Sequence, residues 1–270
     1  MRKEQIEKYW HSPWMLEILP EVTSTNDVLK KLALAGCPER TVIIADRQTG
    51  GKGRMGRSFY SPQDNGIYLS LLLRPSIRPQ EALQLTTAAA SAAAMAIDEV
   101  EGGPAMIKWV NDIYCRGRKT AGILTEAGFS GEDLEKPLSY AVVGIGFNVF
   151  EPEEGYPEGI RNIAGAVFSR DQRPATPEER EDIKAHLTAA FLDRMDQFCR
   201  SLSEKTYMES YREKSFLTGK EVLVLTPGHE TKKNDPVRVI GIGDDAELIV
   251  QDQEGKISRL FSGEVSVREI

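Results

Sequence analysis

The stretch from Asp46 to Tyr60, DRQTGGKGRMGRSFY, lies between two β-like runs, Thr41 to Asp46 and Gly66 to Arg74, and few folds accommodate it. It carries Arg47, Lys52, Arg54 and Arg57 against one acid, Asp46, inside a chain whose formal net charge is -7. Gly50, Gly51, Gly53 and Gly56 let the backbone turn tightly and bring N–H groups close to a ligand. Glycines interleaved with arginines make an anion cradle, because guanidinium forks suit phosphate and carboxylate oxygens. The competing reading is a solvated basic loop.

Gly51, Gly53 and Gly56 match GxGxxG, but the context excludes a dinucleotide fold. That fingerprint opens a helix and is followed by an acid about 20 residues later. Here the turn formers Ser61-Pro62 and Asp64-Asn65-Gly66 follow, and then the apolar run Ile67 to Leu73. The chain has no HRD or DFG and no GxxxxGK[ST], so neither a kinase nor a P-loop enzyme is indicated.

With 270 residues, 40% of them hydrophobic and 28% charged, the chain can bury a full core and is neither collagen-like nor disordered. Its acidic balance disfavours general adsorption to polyanions, so any bound anion must be caught locally. Cys37, Cys115 and Cys199 are odd in number and have no CxxC spacing, which argues against a disulfide framework or a zinc site. The opening MRKEQIEKYWHSPWMLEIL lacks a secretory pattern, and the run Ile67 to Leu73 is far short of the roughly 18 residues of a membrane span. A reducing, cytoplasmic setting is expected.

Helices are predicted at about Asn26 to Ala35, Gln80 to Glu99 and Pro177 to Cys199, the first with a capping-box-like start from Ser24 and Asp27. Further β-like runs are Met106 to Trp109, Ile113 to Cys115, Thr120 to Glu126 and Ser139 to Phe147, an order that suggests α+β. Glu151 to Pro177 reads as a long loop or lid. Near Gly219 the texture changes to short strands, Glu221 to Leu225, Val237 to Gly243, Glu247 to Gln251, Ile257 to Phe261 and Val265 to Arg268. These predict a small β-barrel over residues 219–270, after a main domain over residues 1–218.

A second cluster is Lys108 to Glu126, KWVNDIYCRGRKTAGILTE. Asn111 and Asp112 present an amide and a carboxylate at a turn, and Lys119 stands at the mouth of a strand, where its charge could meet a carboxylate or phosphate. The competing reading is an ordinary hairpin. Asn148 ends the run Gly144-Ile145-Gly146-Phe147-Asn148 with an amide able to read a heterocycle edge. His11, His186 and His229 fall outside every motif, and Cys115 reads as a buried strand thiol.

These pieces, with STN at Ser24 to Asn26, QTGGKGRMGR at Gln48 to Arg57, KWVND, RKTAGIL, GIGFN and SGEVSVR at Ser262 to Arg268, occur in the order found in the biotin protein ligase family, which the sequence closely resembles from about residue 22 onward. The resemblance implies a mixed β-sheet with helices, of the class II synthetase-like biotin/lipoate ligase type, and a C-terminal SH3-like barrel. It implies ATP-dependent activation of biotin to biotinyl-5'-AMP, with Mg²⁺, and transfer to one lysine of a biotin carboxyl carrier domain. Ser24, Thr25, Asn26, Gln48, Lys52, Gly53, Arg54 and Lys119 would bind biotin. Arg54, Arg57, Phe59, Asn111, Asp112 and Asn148 would bind ATP, with Arg54, Lys119 and Asp112 catalytic, Mg²⁺ arriving on the ATP phosphates and Phe59 stacking on adenine.

The sequence departs from the family pattern where Gly50, Lys52 and Met55 replace Ala, Arg and Arg, where Val110 replaces Pro, and where Phe59 replaces a frequent Trp. Only about twenty residues precede Thr23, which implies a ligase without DNA binding. Strand pairing across subunits is common in such ligases, so the resemblance admits a homodimer. A lipoate or octanoate ligase or transferase of related fold is the alternative, and it would want a longer apolar slot.

Overall fold

The computed structural model describes residues 1–129, 135–225 and 236–267. The chain enters through a short helix, α1 (Lys3–Ile6), lays down strand β1 (Met15–Val22), and returns through helix α2 (Thr25–Leu34) to β2 (Thr41–Gln48). β2 lies parallel to β1, with Met15 beside Thr41, and α2 supplies the crossover that parallel strands require. β3 (Gly66–Leu73) follows, then helix α3 (Leu83–Glu99), the hairpin β4 (Ala105–Lys108) and β5 (Asp112–Cys115), and the long strands β6 (Arg118–Gly128) and β7 (Tyr140–Asn148). They form one seven-stranded sheet in the order β1-β2-β3-β7-β6-β5-β4, antiparallel beyond β2.

Alternation along the strands separates two layers. Val42, Ile44, Leu71 and Val143 pack into the large core with α3 and with helix α4 (Pro177–Arg200), whereas their neighbours Ile43, Leu72 and Val142 turn to the opposite face and meet Leu29 and Ala33 of α2. α3 is buried along most of its length because its alanines lie between the sheet and α4. The cap of α4 follows its sequence: Thr176 accepts from the Glu179 N–H, Glu179 reaches back, and Pro177 opens the helix. α2 covers only part of its face. The uncovered remainder is where the candidate site lies.

Helix α5 (Tyr207–Lys214) leads to a second, antiparallel sheet of β8 (Glu221–Leu225), β9 (Val237–Ile242), β10 (Leu248–Gln251), β11 (Ile257–Leu260) and β12 (Glu264–Val267), in the order β11-β10-β9-β8-β12. Val222, Val239, Leu248, Val250 and Val265 fill its core. Trp109 Nε1 donates to the Ala246 carbonyl at 2.8 Å and Arg54 Nη2 to the Gly263 carbonyl at 3.4 Å, so the small sheet is anchored beside the second sequence cluster. Arg268, Pro227-Gly228 and His229 lie outside the described residues.

Two local expectations need correction. Ser24 occupies the N-cap of α2, but its side chain makes no capping bond, and Asp27 does not close a capping box. The Asp27 carboxylate is drawn instead to Lys52 at 2.6 Å and Lys30 at 3.5 Å, since a charge-assisted pair outcompetes a local backbone bond. β1 and α5 were not anticipated. β1 is an edge strand whose MLEILPEV sequence, broken by Pro20, lacks strict alternation.

Candidate functional site

The Gly-Arg stretch folds into a small hairpin. Gly53 N donates to Arg57 O at 2.7 Å, Phe59 N to Gly51 O at 2.8 Å, and Lys52 bridges Ser58. The Gly53 N–H is therefore spent inside the loop and does not face a ligand, contrary to the simple cradle expected. The hairpin instead displays side chains, sending Lys52 toward α2 and Arg54 toward the β4–β5 turn.

Ser24, Thr25, Asn26, Gln48 and Lys52 come together around one small cavity. Leu124 and Ile145 supply apolar wall, and Gly122, Gly144 and Gly146 clear space along β6 and β7. Hydrogen bonds order the rim. Gln48 Oε1 accepts from Thr25 N at 2.9 Å and from Thr25 Oγ1 at 3.2 Å, while Gln48 Nε2 donates to Ser61 Oγ at 3.0 Å. Ser70, fully buried on β3, lies 2.6 Å from Asn26 Oδ1 and 2.8 Å from Thr25 Oγ1. Asn26 Nδ2 donates to Leu124 O at 3.2 Å and to Glu126 Oε2 at 2.8 Å.

A second, larger cavity is lined by Gly53, Arg54, Arg57, Asn111, Asp112 and Lys119, together with Trp109, Gly263 and Val265. Gly53, Arg54 and Lys119, all expected to bind biotin with the first set, lie here. Arg54 Nη1 donates to Asn111 Oδ1 at 3.1 Å, and Asn111 Nδ2 to Ile123 O at 2.9 Å, so the turn amide fixes the guanidinium. Lys119 Nζ lies 2.6 Å from Asp112 Oδ1. The contact is a close, charge-assisted pair. The Trp109–Val110 peptide, at the position of Val110 for Pro, is cis.

The cavities meet at Phe59, which lines both and packs edge-on to Tyr68. Lys119 Nζ passes 3.3 Å from the point where a Gly122 Cβ would stand, and so does the Phe59 ring, which puts the ammonium at the seam. Asn148 lines neither cavity. Its Nδ2 donates to Gly165 O at 3.1 Å, bracing a segment that pairs with Lys119 through Lys119 N to Ile163 O and Gly165 N to Lys119 O, both 2.9 Å.

Sequence reasoning missed Ser70, Lys30 and Glu126. Lys30 Nζ reaches Glu126 Oε1 at 2.6 Å, so Glu126, Lys30, Asp27 and Lys52 form a chain of alternating sign that runs from behind Asn26 to Lys52, the one member that lines the first cavity. Glu126 holds the Lys30 ammonium above its ordinary pKa. Burial pushes the Asp27 carboxyl up, but Lys52 and Lys30 outweigh it and hold it below the usual range. Away from the cavities, His11 pairs with Asp193 and His186 stacks on Tyr9. Cys115 is buried, and burial raises its thiol pKa, as befits an inert strand residue. Among the described residues no helix is long and apolar enough to cross a membrane.

The model of the biotin/lipoate A/B protein ligase family matches residues 18–148. The bifunctional ligase/repressor BirA of Bacillus spizizenii is 32% identical over 248 residues, covering 91% of this chain and 72% of that protein. The biotin–[acetyl-CoA-carboxylase] ligase of Mycobacterium tuberculosis is 30% identical over 267 residues, covering 94% and 90%. Among solved structures, the biotin protein ligase of Aquifex aeolicus in complex with biotin and ATP superposes with a TM-score of 0.73 at 28% identity, covering 94% of this chain and 99% of that one.

Proposed function

The chain belongs to the biotin protein ligase family, and from that premise we propose that it activates biotin with ATP to biotinyl-5'-AMP and pyrophosphate, then transfers the biotinyl group to a lysine of a biotin carboxyl carrier domain. The observation that carries the reading is the seam at Phe59, where a cavity lined by Ser24, Thr25, Asn26 and Gln48, with Lys52 as its one cation, opens beside one lined by Arg54, Arg57 and Lys119.

Biotin is neutral except for its carboxylate. Ser24, Thr25, Asn26 and Gln48 suit its ureido ring, and Lys52 adds a cation at the same rim. The carboxylate would then point to the seam. Its attack on the α-phosphate brings two anions together, and Lys119 and Arg54 offset that repulsion and stabilise the crowded phosphate. Arg57 would hold the departing pyrophosphate. Asp112 orients Lys119 in the activation step and is the carboxylate nearest the seam when the acceptor lysine must lose its proton.

Phe59 would wall off biotin from nucleotide, a role beyond the adenine stacking expected of it. Asn148 would act on the nucleotide by bracing the Gly165 segment beside Lys119.

Asp112, which lines the cavity of Arg54, Arg57 and Lys119, could supply one carboxylate to a Mg²⁺ held mainly by ATP phosphates, as such ions commonly are. Bound there, Mg²⁺ would neutralise phosphate charge.

Pyrophosphate exchange with ATP tests the function. Exchange is expected with biotin and not with lipoate, since the cavity is polar-rimmed rather than a long apolar slot. Exchange with lipoate alone, or with neither acid, would overturn the reading.

We also expect a cytoplasmic protein, in keeping with three free cysteines, and one that does not bind DNA specifically. The formal net charge of -7 disfavours a polyanionic partner. A DNA titration at physiological salt with biotin and ATP present is expected to show only weak, salt-sensitive binding. Nanomolar sequence-specific affinity would refute this.

A further inference from the structure

We propose that Glu126, which lines neither cavity, is a positioning residue that fixes which end of the Asn26 amide faces the biotin cavity, and that Lys30 makes this control depend on a carboxylate. The inference rests on the biotin-ligase reading. Asn26 is 4% exposed, and its amide could in principle be turned either way. Ser70 does not decide the matter, because a hydroxyl can donate or accept. The Leu124 carbonyl and the Glu126 carboxylate can only accept, so both demand the amide nitrogen. Asn26 Oδ1 is left beside Gly144 and Ser70, toward the cavity, where it can accept a ureido N–H.

Glu126 has its two oxygens on two different donors, Oε2 on Asn26 and Oε1 on Lys30. The consequence is specific to this pairing. In Glu126→Gln the side chain keeps one acceptor and gains a donor. Lys30, a pure donor, claims the remaining oxygen, and the new NH₂ group then faces the Asn26 NH₂. Asn26 must turn over or lose its anchor, presenting a donor where the ligand also donates. Removing Lys30 as well frees the side-chain oxygen to face Asn26 again.

The experiment is pyrophosphate exchange with separate titrations of biotin and ATP, on the unsubstituted protein, Glu126→Gln, Lys30→Met and the double variant, with thermal melts of each. Losing one charge-assisted bond predicts a rise of about tenfold in the KM for biotin in Glu126→Gln, with the KM for ATP and kcat within about twofold. Lys30→Met alone should stay within about threefold of the unsubstituted KM for biotin, and the double variant should return to that range although it melts no higher than Glu126→Gln. A purely structural ion pair would make the double variant at least as impaired as the single. That outcome, an unchanged KM for biotin in Glu126→Gln, or a parallel rise in the KM for ATP overturns the proposal. Failure of the unsubstituted protein to exchange with biotin would instead remove the function itself, and this proposal with it.

Discussion

Lys119→Ala should lower biotin-dependent pyrophosphate exchange more than a hundredfold, a loss of at least about 3 kcal/mol in transition-state stabilisation. The ammonium stands at the seam of the two cavities, with its side chain 27% exposed, paired to an Asp112 side chain 22% exposed. In this half-sheltered place a single charge is worth more than on open surface. The loss has two parts. The cation that offsets carboxylate–phosphate repulsion is gone, and Asp112 is left uncompensated, facing the same anions. Asp112 should therefore be harmful once Lys119 is absent, and the double variant Lys119→Ala with Asp112→Ala should be less defective than the product of the two single losses. The defect should fall mainly on kcat, because the repulsion grows as the reacting oxygens approach. Near-normal exchange in Lys119→Ala would sink the assigned role, and strict multiplicativity would show that Asp112 does not act through Lys119.

The residues that were legible in the sequence share a local signal. Asn111 and Asp112 stand where two apolar strands reverse, Lys119 stands at the start of the next strand, and Arg54 and Arg57 stand in a glycine context that forces a reversal, so spacing marks them as candidates while the family resemblance supplies their roles. What escaped depends on partners distant along the chain. Asp27 looks like a cap residue until Lys52, twenty-five positions away, takes its carboxylate. Glu126 reads as an ordinary polar position on a half-buried strand, and Ser70 as a small interruption in an apolar run, because nothing nearby in sequence announces that both converge on Asn26. Asn148 is conspicuous at its strand end, but nothing local announces that its amide nitrogen is used on Gly165. Strand parity holds the more general lesson. Ser70, Gly144 and Gly146 lie in phase with Leu72 and Val142, on the face that α2 only partly covers, so a buried serine and two glycines in that phase mark a cavity and not a weak strand.

Gly144→Ala tests that phase relation directly, and it should abolish measurable biotin binding at concentrations a hundred times those the unsubstituted protein needs. An added Cβ would stand 2.0 Å from Asn26 Oδ1 and 2.8 Å from its Cγ, distances no real methyl group tolerates. Asn26 cannot yield cheaply: moving it breaks its bonds to Ser70, Leu124 O and Glu126, and each buried group left without a partner costs roughly 1–3 kcal/mol. That sum exceeds the roughly 2.7 kcal/mol of a hundredfold change, so displacement of Asn26 dominates both affinity and stability. Gly146→Ala supplies the contrast. Its Cβ would meet the Phe59 ring at 2.4 Å, and because that ring walls both cavities, the KM for ATP should rise along with that for biotin. In Gly144→Ala the ATP parameters should hold. Combining Gly144→Ala with Asn26→Ala makes room for the methyl group and should recover much of the lost melting temperature without restoring biotin binding. If the double variant regains affinity, Asn26 is not a ligand of biotin. If Gly144→Ala binds biotin normally, the cavity does not owe its shape to the glycine phase of β7.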